Sequence, residues 1–284
     1  MAGWELEEAV ARAMGSTVRS SCGVAGGDIN DAREMTLADG RVVFVKSNLG
    51  ADPTMFSAEA RGLAWLAQAR ALRVPEVLAV GENLLVLERI SAVRRRPDFD
   101  QRLGRDLAAL HRFGAPGFGL DHDNFIGRLP QSNAPAPNWP DFYRSRRLEP
   151  QLRLARDAGL CSSAMARGFD RLFTALDERV GPAEPPARLH GDLWGGNVIV
   201  DETGAGCLID PAVYGGHREI DLAMMRLFGG FGPRVFAAYE EAWPLSPGHQ
   251  ERVPLYQLYF LMVHVNLFGG PYLAQAEHTL RAIA

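Results

Sequence analysis

Everything else in this chain has to fit around one stretch: Leu189-His190-Gly191-Asp192-Leu193-Trp194-Gly195-Gly196-Asn197, with Leu208-Ile209-Asp210-Pro211-Ala212 close behind it. Its apolar runs are short. One ends at Leu189-His190, a second is Val198-Ile199-Val200, and a third is Cys207-Leu208-Ile209. Runs of this length punctuated by loops predict strand, loop, strand, loop. The turn-forming Asp201-Glu202-Thr203-Gly204 predicts that the second and third runs pair as a hairpin. Asp192, Asn197 and Asp210 then fall at strand ends. Two carboxylates and an amide carbonyl are the hard oxygen donors that suit Mg²⁺. Taken alone, the same residues also fit an ordinary hairpin with acidic turns.

The spacing is more particular than the residue types. Four residues separate Asp192 from Asn197. That is the catalytic-loop spacing of protein kinases, where the Asp accepts the substrate hydroxyl proton and the Asn binds Mg²⁺. Asp210 stands where the kinase pattern places its second metal-binding Asp. Phosphoryl transfer concentrates negative charge on ATP oxygens, so it needs a cation held by oxygen ligands and a separate carboxylate facing the attacking hydroxyl. His-Gly-Asp with Asn five residues beyond the Asp resembles the aminoglycoside phosphotransferase and choline kinase superfamily. Within it, HGDLWGGN together with IDPAVYGGHREIDLAM resembles the fructosamine kinase (ketosamine-3-kinase) family. Aminoglycoside kinases usually carry His where this chain has Trp194. The resemblance runs from about Gly26 to Phe268.

That resemblance implies an α+β, two-lobed, protein-kinase-like fold. Residues 1–90 would form a small antiparallel-sheet lobe that binds ATP. Residues 91–284 would form a mainly helical lobe for catalysis and substrate binding. ATP and Mg²⁺ are the implied cofactors, with Asp192 as base and Asn197 and Asp210 as metal ligands. The implied substrate is a ketosamine, either a small molecule or a glycated lysine on a protein. Asp221 resembles the family's structural Asp, which braces the catalytic loop; a carboxylate near a helix start also interacts favourably with the helix dipole.

Composition bounds the alternatives. The chain has 284 residues, enough for two lobes, with 47% hydrophobic and 23% charged residues. A net charge of −4 argues against a general nucleic-acid or membrane-surface binder. Arg94-Arg95-Arg96 is a local basic run that reads as a solvated loop or as a contact for an anionic ligand. Cys22, Cys161 and Cys207 are odd in number and scattered, which fits neither a disulfide framework nor a metal site and suits a reduced, cytoplasmic setting. The acidic start, with Glu5, Glu7 and Glu8, is unlike a signal peptide, and no apolar window reaches transmembrane length.

Read in order, residues 4–14 have helical spacing and 17–24 are a candidate strand. Gly26-Gly27 then opens a glycine-containing turn before the strand 32–37. Such a loop can bring backbone N–H groups to phosphates, or can simply turn a hairpin. Asp39-Gly40 predicts a hairpin into the strand 41–47, which carries Lys46. Residues 54–69 read as a helix with Phe56, Ala60, Leu63 and Ala67 as its apolar stripe, and Glu59 on the shoulder of that stripe. A carboxylate turned inward is costly unless paired, and Lys46 is the natural partner. The pair would hold ATP phosphates as in kinases. The alternative is a half-exposed Glu59 and a surface Lys46.

Short strands at 77–80 and 84–87 lead to Glu88-Arg89-Ile90. By resemblance and order this is the hinge, whose backbone binds adenine. Residues 99–113 read as a helix, with His111 packed or capping rather than catalytic. Residues 114–138 read as ordered loops. They contain Asp123-Asn124-Phe125-Ile126-Gly127 and Pro130-Gln131-Ser132-Asn133, which resemble fructosamine kinase patterns on the substrate side. Asn124 and Gln131 are therefore candidates for substrate contact, with a purely structural role as the alternative. Helices are predicted over 139–158 and 162–180, a loop over 213–217, a helix over 218–228, and mostly helix thereafter.

Three functions compete. A ketosamine kinase is favoured by Trp194, whose flat apolar face suits a sugar's C–H surface, although Trp194 could instead pack beneath the loop. An aminoglycoside or amino-alcohol kinase is the runner-up. A nucleotide-binding pseudokinase is opposed by the joint presence of Lys46, Glu59, Asp192, Asn197 and Asp210.

Overall fold

The computed structural model describes residues 3–24 and 30–284. The Gly26-Gly27 turn lies outside them. The chain begins with helix α1 (Gly3–Met14) and strands β1 (Val18–Gly23), β2 (Asp31–Leu37) and β3 (Val42–Ser47), followed by helix α2 (Met55–Ala67) and strands β4 (Val77–Val80) and β5 (Leu84–Glu88). All five strands form one antiparallel sheet in the order β1-β2-β3-β5-β4. Asp39-Gly40 turns β2 into β3, with Gly40 at φ +91, a value that glycine adopts without steric cost.

Period-two alternation assigns each face of the sheet a helix. Met35, Leu37, Val43, Val45 and Val86 pack with Leu6 and Val10 of α1. Leu85 and Leu87 pack with Phe56 and Leu63 of α2, against which Phe44 also lies. Lys46 is two residues on from Phe44, so it faces α2 as well. Sequence alternation alone thus places its ammonium under Glu59.

The remainder comprises α3 (Phe99–Phe113), the hairpin β6 (Asn124–Ile126) and β7 (Leu129–Gln131), α4 (Trp139–Phe142), α5 (Glu149–Asp157), α6 (Ser163–Arg179), β8 (Ala187–Leu189), β9 (Val198–Val200), β10 (Gly206–Leu208), β11 (Tyr214–Gly216), α7 (Glu219–Phe228), α8 (Pro233–Ala242), α9 (His249–Phe268) and α10 (Pro271–Ile283). Helix α9 is apolar almost all round, from Leu255 to Val265, and forms the axis of the larger core. The two-lobed α+β architecture is the one expected.

Three local expectations are corrected. The stretch 114–138 is not loop throughout, because β6 and β7 form a small hairpin in which Asn124 faces Gln131. Residues 214–216 are not loop but strand β11, paired antiparallel with β8. A side chain on Gly215 would collide with the Gly117 carbonyl, its Cβ lying 2.1 Å from that oxygen, so glycine here serves close approach rather than a turn. The helix predicted over 139–158 contains a π-helical turn at Tyr143–Leu148, between α4 and α5.

Candidate active site

The site is assembled from β3, α2 and the loops that follow β8 and β10. Lys46 Nζ donates to Glu59 Oε1 at 2.6 Å and to Asp210 Oδ1 at 2.5 Å. The Lys46 and Glu59 side chains are 8% and 12% exposed, whereas Asp210 is 45% exposed. The triad therefore opens to solvent only through Asp210. Burial works against the Lys46 ammonium, but the charges of Glu59 and Asp210 outweigh it and hold its pKa above the ordinary lysine value. Burial, reinforced by Asp210, raises the Glu59 carboxyl, and Lys46 opposes that rise. Three charges that meet at one nitrogen are mutually necessary, since removing one partner of a buried pair strands the other.

The loop after β8 is braced from below. Asp221, fully buried at the start of α7, accepts the His190 and Gly191 backbone N–H groups at 2.8 and 2.9 Å. It also lies 3.2 Å from His111 Nε2, whose Nδ1 meets the Tyr239 hydroxyl at 2.8 Å. Although burial opposes it, the hydrogen bond from His111 and the nearby histidines and N–H groups keep the Asp221 carboxyl below its usual range. The Ile209 carbonyl can only accept, so His190 carries its proton on Nε2, which donates to Ile209 at 2.9 Å. Its Nδ1 then accepts the Asp192 N–H at 3.2 Å. Burial lowers the His190 pKa, which keeps this neutral tautomer. His190 thereby ties the Asp192 loop to the residue before Asp210. Gly191 has φ +83, and a Cβ there would lie 2.0 Å from the Ala212 carbonyl oxygen.

Asn197 spends its amide N–H groups on Asp192, donating to its carbonyl at 2.8 Å and to Oδ2 at 3.2 Å. Burial first, and then the negative charge of Asp210, push the Asp192 carboxyl up to about 7 despite the Asn197 hydrogen bond. The donor set fits Mg²⁺: an exposed carboxylate at Asp210 and the remaining oxygen of the Asn197 amide. Among the described residues no three His, Cys, Asp or Glu side chains form a cage of their own. Mg²⁺ is usually held by one or two carboxylates together with substrate phosphates, so a closed cage is not required.

Trp194 is 40% exposed and does not pack beneath the loop. Its ring lies across Gly196, where a Cβ would come within 2.3 Å of it. Asn124 and Gln131, by contrast, are buried, and their amides hydrogen-bond the Val213 and Ala212 carbonyls. They serve the protein interior, not the cleft. At the end of β5, Glu88 turns its carboxylate to Arg73 at 2.5 Å and donates its backbone N–H to the Glu76 carbonyl at 2.8 Å, and beyond it Arg89 reaches Glu34 at 2.7 Å, so the side chains of this segment are engaged within the protein.

Sequence reasoning missed two participants. Arg73 joins Glu88 to Asp201 and Glu202 in the turn between β9 and β10. Tyr259, inside α9, donates to Gln131 Oε1 at 2.5 Å. Neither lies in a motif, and an apolar helix gives no sign of which face meets the site.

Comparison with known proteins is consistent with this geometry. The model of the fructosamine kinase family matches residues 5–284. A Synechocystis protein assigned as a ketoamine kinase is 40% identical over 266 residues, covering 91% of this chain and 88% of that relative. The chloroplastic protein-ribulosamine 3-kinase of Arabidopsis thaliana is 36% identical over 260 residues, covering 89% of this chain and 79% of its own. The crystal structure of a Thermobifida fusca protein assigned as a fructosamine-3-kinase superposes with a TM-score of 0.91 at 39% identity, over 98% of both chains.

Proposed function

Because the chain belongs to the fructosamine kinase family, we propose that it transfers the γ-phosphoryl group of ATP to the 3-hydroxyl of ketosamines, the fructosamine- and ribulosamine-type adducts of sugars with amines. The observation that carries the reading is the convergence of Lys46, Glu59 and Asp210 at one nitrogen, with Asp192 close enough to feel the charge of Asp210.

ATP binds between a sheet lobe ending near residue 90 and the helical lobe that follows. The backbone of the segment at Glu88-Arg89-Ile90 receives adenine. Lys46, held in line by Glu59, contacts phosphate oxygens. Asp210 and Asn197 would hold Mg²⁺, which when bound would supply positive charge to those oxygens. Asp192 orients the acceptor hydroxyl and takes its proton as the oxygen bonds to phosphorus and ADP departs. Trp194 offers its exposed face to the sugar's C–H surface and its indole N–H as one donor. An open face of this kind admits a free ketosamine or a glycated lysine on a protein.

The product has a predictable fate. Enolisation between carbons one and two places the phosphate on carbon three in an allylic position, from which it leaves readily. Loss of the phosphate leaves a conjugated imine, and water hydrolyses its C–N bond to release the free amine and a 3-deoxy dicarbonyl sugar, so the reaction repairs glycated amines. We place the enzyme in the cytoplasm, with no nucleic-acid or membrane partner; no helix among the described residues is long and apolar enough to cross a membrane.

The test is a panel of acceptors with ATP and Mg²⁺: fructose-lysine, ribulose-lysine, choline and kanamycin, each alone. Turnover of at least one ketosamine is expected. Turnover of choline or kanamycin with neither ketosamine would overturn the reading.

A further inference from the structure

Asn124 and Gln131 face one another across the β6–β7 hairpin, and Tyr259 reaches them from α9. Their exposures are 5%, 3% and 1%, too deep for any of them to meet a ligand in the cleft. The hydrogen bonds run in one direction. The Tyr259 hydroxyl donates to Gln131 Oε1 at 2.5 Å, Gln131 Nε2 donates to Asn124 Oδ1 at 2.8 Å, and Asn124 Nδ2 donates to the Val213 carbonyl at 2.8 Å. Gln131 Nε2 also donates to the Ala212 carbonyl at 3.2 Å. Carbonyls only accept, so both amides must turn their nitrogens toward this backbone, and Gln131 Oε1 must then find a donor, which Tyr259 provides.

The backbone they hold follows Asp210 directly. Asp210 has φ +55, a left-handed conformation that a residue other than glycine keeps only when its surroundings over-determine it. Those surroundings are here. The Ala212 N–H donates to the His190 carbonyl at 2.9 Å on one side, and the relay takes the Ala212 and Val213 carbonyls on the other. The segment is pinned between the Asp192 loop and the relay, with Asp210 at its strained end.

We infer that Asn124, Gln131 and Tyr259 are positioning residues that fix Asp210 for the cation, an inference that rests on the metal-ligand role proposed for Asp210. Gln131→Glu is nearly isosteric but sets an acceptor against the Ala212 carbonyl and Asn124 Oδ1. Tyr259→Phe removes one hydroxyl and leaves the ring beside Phe260.

The experiment measures ATP binding by calorimetry over a series of Mg²⁺ concentrations, together with kcat and the KM for a ketosamine. Gln131→Glu, Tyr259→Phe and Asp210→Ala are compared with the unaltered protein. The two relay variants are expected to need about tenfold or more Mg²⁺ for half-maximal nucleotide binding, the usual effect of losing a group that orients a metal ligand. Their kcat should fall in step and recover at high Mg²⁺, with the ketosamine KM unchanged. Tyr259→Phe carries the test if the buried charge of Gln131→Glu prevents folding. An unchanged Mg²⁺ requirement in Tyr259→Phe, beside a raised one in Asp210→Ala, overturns the inference alone. An unchanged requirement in Asp210→Ala overturns the metal-ligand reading and the inference with it.

Discussion

The roles proposed for Asp192 and Lys46 differ, and substitutions should separate them. Asp192→Asn keeps the shape and the Asn197 contacts but removes the base. Turnover should fall by roughly 10²–10⁴, the usual worth of a positioned proton acceptor, with ATP affinity largely kept. Near-normal turnover would remove Asp192 from the mechanism. Lys46→Met should raise the KM for ATP and lower kcat, and Glu59→Ala should do the same more mildly. The pair shares one hydrogen bond at 2.6 Å, so the double mutant should fall short of the sum of the single defects; strict additivity would contradict the pairing. His217 offers a test by pH. Burial is the main cause that brings its pKa down to about 4, and its Nδ1 accepts the Glu219 N–H. The unfolded state therefore takes up a proton that the folded state refuses between about pH 6.5 and 4, and stability is lost as pH falls through that window, on the order of 3 kcal/mol in all. Asp192, held up to about 7, pulls the opposite way over much of that range. The informative quantity is thus the difference in unfolding free energy between the unaltered protein and His217→Gln, which should shrink in favour of the variant as pH falls. A pH-independent difference would contradict the assignment.

At the scale of elements, the loops after β8 and β10 are locked together by the Gly191–Ala212 approach, with no room for a Cβ at Gly191. Gly191→Ala should displace the Asp192 loop and reduce kcat strongly, while circular dichroism shows the helices retained; unimpaired turnover would show that the close approach is dispensable. This element was legible in the sequence, because its spacing is dictated by chemistry and its turn residues are distinctive. Lys46 and Glu59 were legible for a different reason: period two in β3 and period 3.6 in α2 each fix a face. Asn124 and Gln131 were misplaced because their strands have three residues each, too few for a period to show which side is buried. Strand β11 was missed because Tyr214-Gly215-Gly216 reads as a turn when its tight neighbours are unseen.

Across the whole molecule, a two-lobed protein-kinase-like fold has to hold its lobes at a working separation. Arg73 links the five-stranded sheet to the β9–β10 hairpin. Its backbone carbonyl accepts the Leu208 N–H at 2.8 Å, while its guanidinium joins Glu88 at the end of β5 to Asp201 and Glu202 beside the catalytic hairpin. Arg73→Met should leave three carboxylates crowded without their cation and destabilise the protein by about 1–3 kcal/mol, read as a lower midpoint in urea. An unchanged midpoint would show that the cluster is incidental. The proposed acceptor is tested by following ribulose-lysine with ATP and Mg²⁺ by phosphorus NMR. A phosphate monoester on carbon three should form in step with ADP and then decay to inorganic phosphate and free lysine. A stable ester at another hydroxyl, or ADP released with no sugar phosphate formed, would contradict it.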